Sequence, residues 1–139
     1  MKKLAGVLMG LMVVTVLFAC GQGKYDDAVK VNEDFIKMTE KYINDLDNAH
    51  SGADVARAMN DYTEKFEELI PKMNEIHKKY PEMMADKDLP EKLKETNEKA
   101  RQAGVKLASS FMKVMKYMTD PEVMEAHKKF ARTMQEMNK

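Results

Sequence analysis

Imidazole and thioether are the side chains of this chain best suited to hold a soft metal. Fourteen methionines accompany three histidines and a single cysteine. Imidazole suits copper, zinc and iron, and thioether selects Cu(I). His127 is the histidine to weigh, because it falls on an apolar helical stripe with Val123, Phe130 and Met134. In the register argued below, Met59, Val114 and Asp45 stand at its height. One expectation for this layer is an ion pair between Asp45 and His127. Another is a metal or b-type haem iron held by His127 and Met59, with Met112 or Met115 close by. Met112, Met115 and Met118 are spaced by three, as are Met134 and Met137, and that spacing can place two thioethers together on a helix. The plainer alternative gives the methionines a packing role, since methionine is a good helix former and a flexible filler of irregular cores. Met38, Met59, Met73, Met118, Met134 and Met137 all fall on apolar stripes. Likewise, a phase with Leu46 on the stripe turns Asp45 to solvent. No cofactor is therefore expected, with copper or b-type haem as the alternative.

Catalytic patterns are missing. There is no CxxCH for covalent haem, no HExxH, no GxSxG and no glycine-rich phosphate loop. Carboxylates alternate with lysines at helix-pair spacing, as in "EKLKETNEK", residues 91–99, which describes a solvated face. A non-enzymatic protein is the expectation. Lys2 and Lys3 aside, 21 basic and 23 acidic side chains remain, a formal charge of −2. That balance gives no reason to expect nucleic acid as a partner.

The first twenty residues carry their own chemistry. Lys2 and Lys3 precede an uncharged apolar run from Leu4 to Ala19. A lasting membrane span needs roughly 20 apolar residues. This run is shorter, has a basic front and ends on a small residue, which is the layout of a secretory signal. Leu17-Phe18-Ala19-Cys20 resembles the lipobox of bacterial lipoproteins, with a bulkier residue than usual at Phe18. The resemblance implies cleavage before Cys20, lipidation of Cys20 and a chain held at the membrane through that lipid. One acyl chain binds membranes marginally and two or more bind stably. Lipoproteins carry two or three, so stable anchoring is implied. Gly21 stands where an aspartate would retain such a protein in the inner membrane, so the expected location is the outer membrane, facing the periplasm. The division expected is 1–19 signal, 20–23 lipidated cysteine and tether, and 24–139 a single bundle domain.

Apolar residues recur at three-to-four spacing through that domain, the helical signal. Helices are expected over about 24–48, 53–80, 89–118 and 121–138. Ser51 with Asp54, and Asp88 with Glu91, read as capping boxes. Pro121 suits a first helical position, and Pro71 is expected to kink helix 2. The expected fold is all-α, an up-down antiparallel four-helix bundle with a short fourth helix. With sequential neighbours packed together, Asp45 lies level with Met59, Leu69 faces Gly104, Met73 faces Ala100, and Val114 lies level with His127.

That short helix leaves the end near the tether covered by three helices only. Val31, Met73, Ile76 and Ala100 would be partly exposed there. The loop "YPEMMADKDLP", residues 80–90, lies at the same end. Met83 and Met84 are expected either to touch lipid or a partner, or to fold up as a turn closing the gap. The functional expectation is a lipid-anchored envelope bundle that binds or scaffolds an unknown envelope protein. The alternative is a small periplasmic metal- or haem-binding lipoprotein using His127 and methionines.

Overall fold

The computed structural model describes residues 23–85 and 89–137. Four helices form an all-α bundle: α1 Asp26–Asp47, α2 Gly52–Lys79, α3 Glu91–Met115 and α4 Pro121–Met137, with a 3-10 turn at Pro81–Ala85. Cys20 and Asp88 lie outside the described residues.

Local chemistry sets the helix ends. Ser51 caps α2, its hydroxyl accepting from the Asp54 amide at 3.1 Å, while the Asp54 carboxylate accepts from the His50 amide at 3.2 Å. The Asp120 carboxylate accepts from the Glu122 amide at 2.9 Å, opening α4. α3 begins at Glu91 with Pro90 in the cap position and no side-chain cap. It ends at Met115, short of the expected 118, because Lys116, Tyr117 and Met118 donate to carbonyls three residues back rather than four. α2 runs unbroken through Pro71, which lies on its exposed face. There proline leaves the carbonyl of Glu67, itself an exposed residue, without its usual donor.

α1 and α2 form an antiparallel hairpin in the expected register. The Tyr42 and Tyr62 rings meet tilted, 4.8 Å between centroids, and Ala28 shares a buried cluster with Ile76. The next neighbours differ from chain order. α3 packs on α1, α4 packs on α2, and neither α2 with α3 nor α3 with α4 packs along its length. The order across the bundle is α3, α1, α2, α4, and among these packed neighbours only α1 and α2, consecutive in sequence, run in opposite directions. α3 thus runs parallel to α1. The Asn32 amide donates to Asn97 Oδ1 at 2.7 Å, and Asp47 pairs with Lys113 at the far end. α4 runs parallel to α2, with the Thr133 hydroxyl donating to Glu67 at 2.7 Å and Lys129 3.6 Å from Glu64.

The reason lies in a matched pair of stripes. Asn32, Thr39 and Leu46 recur every seven residues on α1, as do Thr96, Ala103 and Ser110 on α3. All but Asn32 are buried. Small side chains let the helices approach; the α3 hydroxyls are satisfied within α3, whereas Thr39 Oγ1 on α1 is buried with no hydrogen-bond partner among the described residues. Thr96 donates toward the Lys92 carbonyl at 3.1 Å, and Ser110 toward that of Leu107 at 2.7 Å. The Leu69–Gly104 contact is accordingly absent. Leu69 lines the α1–α2 side with Met38, and a Cβ at Gly104 would meet nothing within 4 Å.

At the other end the two interhelical turns abut. Gly52 is buried, and a Cβ there would strike the Asp120 carboxylate and fall 2.9 Å from the Asp120 Cβ. Only glycine lets the start of α2 lie against the residue that caps α4.

Candidate functional site

The lower end, next to the expected tether, is a closed clasp. Tyr80 is buried, its ring 4.8 Å from that of Tyr25. Its hydroxyl meets the Lys24 carbonyl and lies 2.9 Å from Asp27 Oδ1. Lys24 reaches Glu82 at 2.8 Å, and the Tyr25 hydroxyl donates to the same oxygen at 2.9 Å. The Lys24 ammonium, then the turn's own amide and Tyr25, pull the Glu82 carboxyl down to about 2. At Asp27 burial opposes the shift, but hydrogen bonds from Lys79 and Tyr80 prevail and lower it. Met83 is half-buried against the cluster that holds Ala28, Ile76 and Leu93. It covers a cavity of about 190 Å³ that Val31, Met73, Ile76 and Ala100 line, the four residues expected at the gap. "PEMMA" is thus a helical turn over the lower core. Met84 belongs to that turn, and its side chain lies outside what is described.

The open site is at mid-height, between α3 and α4. Val114 and Val123 pack into the upper core close to the turn that joins these helices. Below it the two helices part, leaving a cavity of about 440 Å³. Tyr42, Met59 and Tyr62 of the inner hairpin form its floor. Gly104, Leu107, Ala108 and Phe111 form one wall; His127, Phe130 and Met134 form the other. One ring contact ties floor to wall, with Tyr62 5.9 Å from Phe130, and another joins the two walls across the cleft, with Phe111 6.0 Å from His127. Burial, with the adjoining Tyr62, pushes the Tyr42 phenol up to about 12, so the floor carries no phenolate near neutral pH. A pocket of a few hundred Å³, largely apolar with a few polar groups, is the usual form of a ligand site. A broader groove of about 920 Å³ runs between α2 and α4, but its lining is charged, including Arg57, Glu122, Glu125 and Arg132.

Of the expected polar layer, Met59 and His127 come to the same cleft. Asp45 does not. It pairs with Lys41 at 2.5 Å and lines a separate cavity on the outer α1–α2 face. The Tyr42–Tyr62 pair lines both cavities and stands between Asp45 and His127. Leu46, buried at 4%, takes the inward position on α1, so the ion pair expected of Asp45 and His127 is not formed. Met112 and Met115 are 71% and 50% exposed, on the outer edge of the α3 wall rather than in the core. Met134 joins His127 and Met59 in the cleft. Among the described residues no group of three His, Cys, Asp or Glu side chains could hold a metal, and no helix is long and apolar enough to cross a membrane. Periodicity could not reveal the cleft, because its lining has the residue types of an ordinary core. The one signal was Gly104 in mid-helix.

No protein-family model, no curated protein and no solved structure matches the chain.

Proposed function

We propose that this is a non-enzymatic, lipid-anchored binding protein of the cell envelope. It would be held through Cys20 in the outer membrane, facing the periplasm, with the α3–α4 cleft as its binding site. The observation that carries the reading is the cleft itself. Two consecutive helices that would gain about 25 cal/mol per Å² by closing on each other stand apart instead, over an aromatic floor. The leader ending in Leu17-Phe18-Ala19-Cys20 supports the anchor. Photocrosslinking in cells from a benzoylphenylalanine at Ala108 tests the site. Adducts to an envelope component support it, and adducts confined to the protein itself refute it. Met83, folded against the lower core, is a poorer contact point than the cleft.

One observation favours a second reading. The cleft gathers the imidazole of His127 and the thioethers of Met59 and Met134, a donor set suited to Cu(I) or to haem iron. A Soret band or stoichiometric copper in the protein purified from membranes would establish it, and a colourless, metal-free protein would remove it.

A further inference from the structure

We propose that the outer face of α3 and α4 lies on the bilayer to which the chain is tethered, so that the bundle rests on its side with Val105, Phe111, Met112, Met115 and Met124 against the lipid. The inference goes beyond the reading of the cleft as a binding site and rests on the same expected anchor at Cys20.

The distribution of exposed apolar surface points to one side of the bundle. Val105, Phe111, Met112, Met115 and Met124 are 57%, 44%, 71%, 50% and 41% exposed, and they are all the exposed large apolar side chains among the described residues. All five belong to α3 and α4. Val105 and Met112 stand two turns apart on one line of α3. Met112 and Met115 stand one turn above Ala108 and Phe111 of the cleft wall, and Met124 one turn before His127 of the other wall. With α3 packed on α1 and α4 on α2, these positions form the side turned away from the inner hairpin. A contiguous exposed apolar patch marks a contact, and thioethers adapt to a fluid surface. The sequence suggests lipid contact at Met83 and Met84 instead. Met83, however, packs with the lower core, and that end shows its charged clasp, Lys24 with Glu82.

Reach and charge favour the bilayer as the cover. Packed helix axes lie roughly 8–10 Å apart and a helix is roughly 10–12 Å across, so α1 would run about 15 Å above a bilayer that touches α3 and α4. The four residues from Cys20 to Gly23 can span at most about 14 Å, which lets the bundle lie down without leaving its anchor. A tether this short also keeps the bilayer at high effective concentration, whereas a second copy must be met by diffusion. From residue 99 to residue 119 there is no carboxylate, and Glu122, Glu125 and Glu136 of α4 line the groove against α2. This part of the face therefore brings no acidic side chain against anionic lipid.

The test uses the full-length protein, extracted from membranes and reconstituted in vesicles of phosphatidylethanolamine and phosphatidylglycerol that carry a doxyl-labelled phosphatidylcholine. Cys20 is the only cysteine in the chain. Once it is acylated, Met112→Cys or Lys65→Cys supplies the one free thiol, which takes a nitrobenzoxadiazole label. Both positions are exposed, and Lys65 belongs to the opposite, α1–α2 face. The label at 112 is expected to shift to the blue and to be quenched by doxyl lipid, with neither effect at 65. Adding Met115→Glu and Met124→Glu, which put carboxylates on already exposed positions, is expected to abolish the quenching at 112 with the melting curve intact. No quenching at 112, equal quenching at 65, or quenching that survives both glutamates would overturn the proposal. So would a blue shift at 112 without doxyl quenching, which would assign the face to a second copy. If 112 is unquenched while position 108 still crosslinks to an envelope protein in cells, the bilayer contact falls and the cleft stands as a site for that protein. If that crosslink also fails, the functional reading falls as well.

Discussion

Replacing Gly104 by leucine separates this arrangement of helices from the chain-order one by the sign of a stability change. If α3 packed against α2, the new side chain would meet Leu69 and overpack the layer, costing about 1–3 kcal/mol. In the structure a Cβ at Gly104 has nothing within 4 Å. The substitution then removes a mid-helix glycine, worth about 0.8–1 kcal/mol relative to alanine, less a few tenths for leucine. It also lays a side chain along Leu107 and Met134 in the cleft. Partial burial there adds about 0.5–1 kcal/mol, well under the 1.5–3 kcal/mol of full burial. The net expectation is a gain of about 1–1.5 kcal/mol, a rise of roughly 4–6 °C in Tm for a chain of this size. Circular dichroism melts of wild type and Gly104→Leu measure it. A fall in Tm would show that Gly104 faces a packed wall, and the cleft would have to be abandoned.

Gly52→Ala is expected to cost about 1–3 kcal/mol, because its Cβ must displace the Asp120 side chain that caps α4; urea denaturation measures it, and an unchanged midpoint would count against the abutting turns. The lower clasp should loosen in acid. Glu82 titrates at about 2 in the folded chain against an ordinary 4.5, and Asp27 is likewise lowered. Their contribution is complete above the ordinary carboxylate range and is lost as pH falls from there toward 2. The hydrogen-exchange protection of the Tyr80 amide, corrected for the intrinsic rate at each pH, should fall over that window before that of Tyr62 does, and a simultaneous fall would contradict the local clasp. Cys20→Ala should abolish incorporation of a fatty-acid analogue and release the protein from membranes, and continued labelling would contradict the anchor.

The helices, the α1–α2 register and the short α4 were legible because apolar residues at three-to-four spacing report which face of a helix is buried. Spacing does not report which neighbour buries it. Alternating three-and-four steps look the same read in either direction, so an α3 stripe fits α2 antiparallel as readily as α1 parallel. The choice was made by Asn32 and Thr39 against Thr96, Ala103 and Ser110, residues that an apolar count passes over. The candidate site was half legible for the same reason. His127 and Met59 share a height and a cleft. Asp45 was drawn to the same layer by number alone, while Leu46, one residue on, holds the inward position. Phe111 and Met134 have the composition and phase of core residues. Only the separation of α3 from α4 turns them into the walls of a site.

The chain's own methionines give the most direct test of the central claim, that the α3–α4 cleft is occupied when the protein is in its envelope. Peroxide oxidation, quantified residue by residue by mass spectrometry, can be run on intact envelopes and on the purified protein. Met112, Met115 and Met124 are exposed on α3 and α4, the helices that wall the cleft, while Met38 lies on the α1–α2 face and Met73 at the lower cavity. The account expects the three exposed methionines to oxidise quickly in the purified protein and to be protected in the envelope, with Met38 and Met73 unchanged. Equal oxidation of the three in both settings would contradict it.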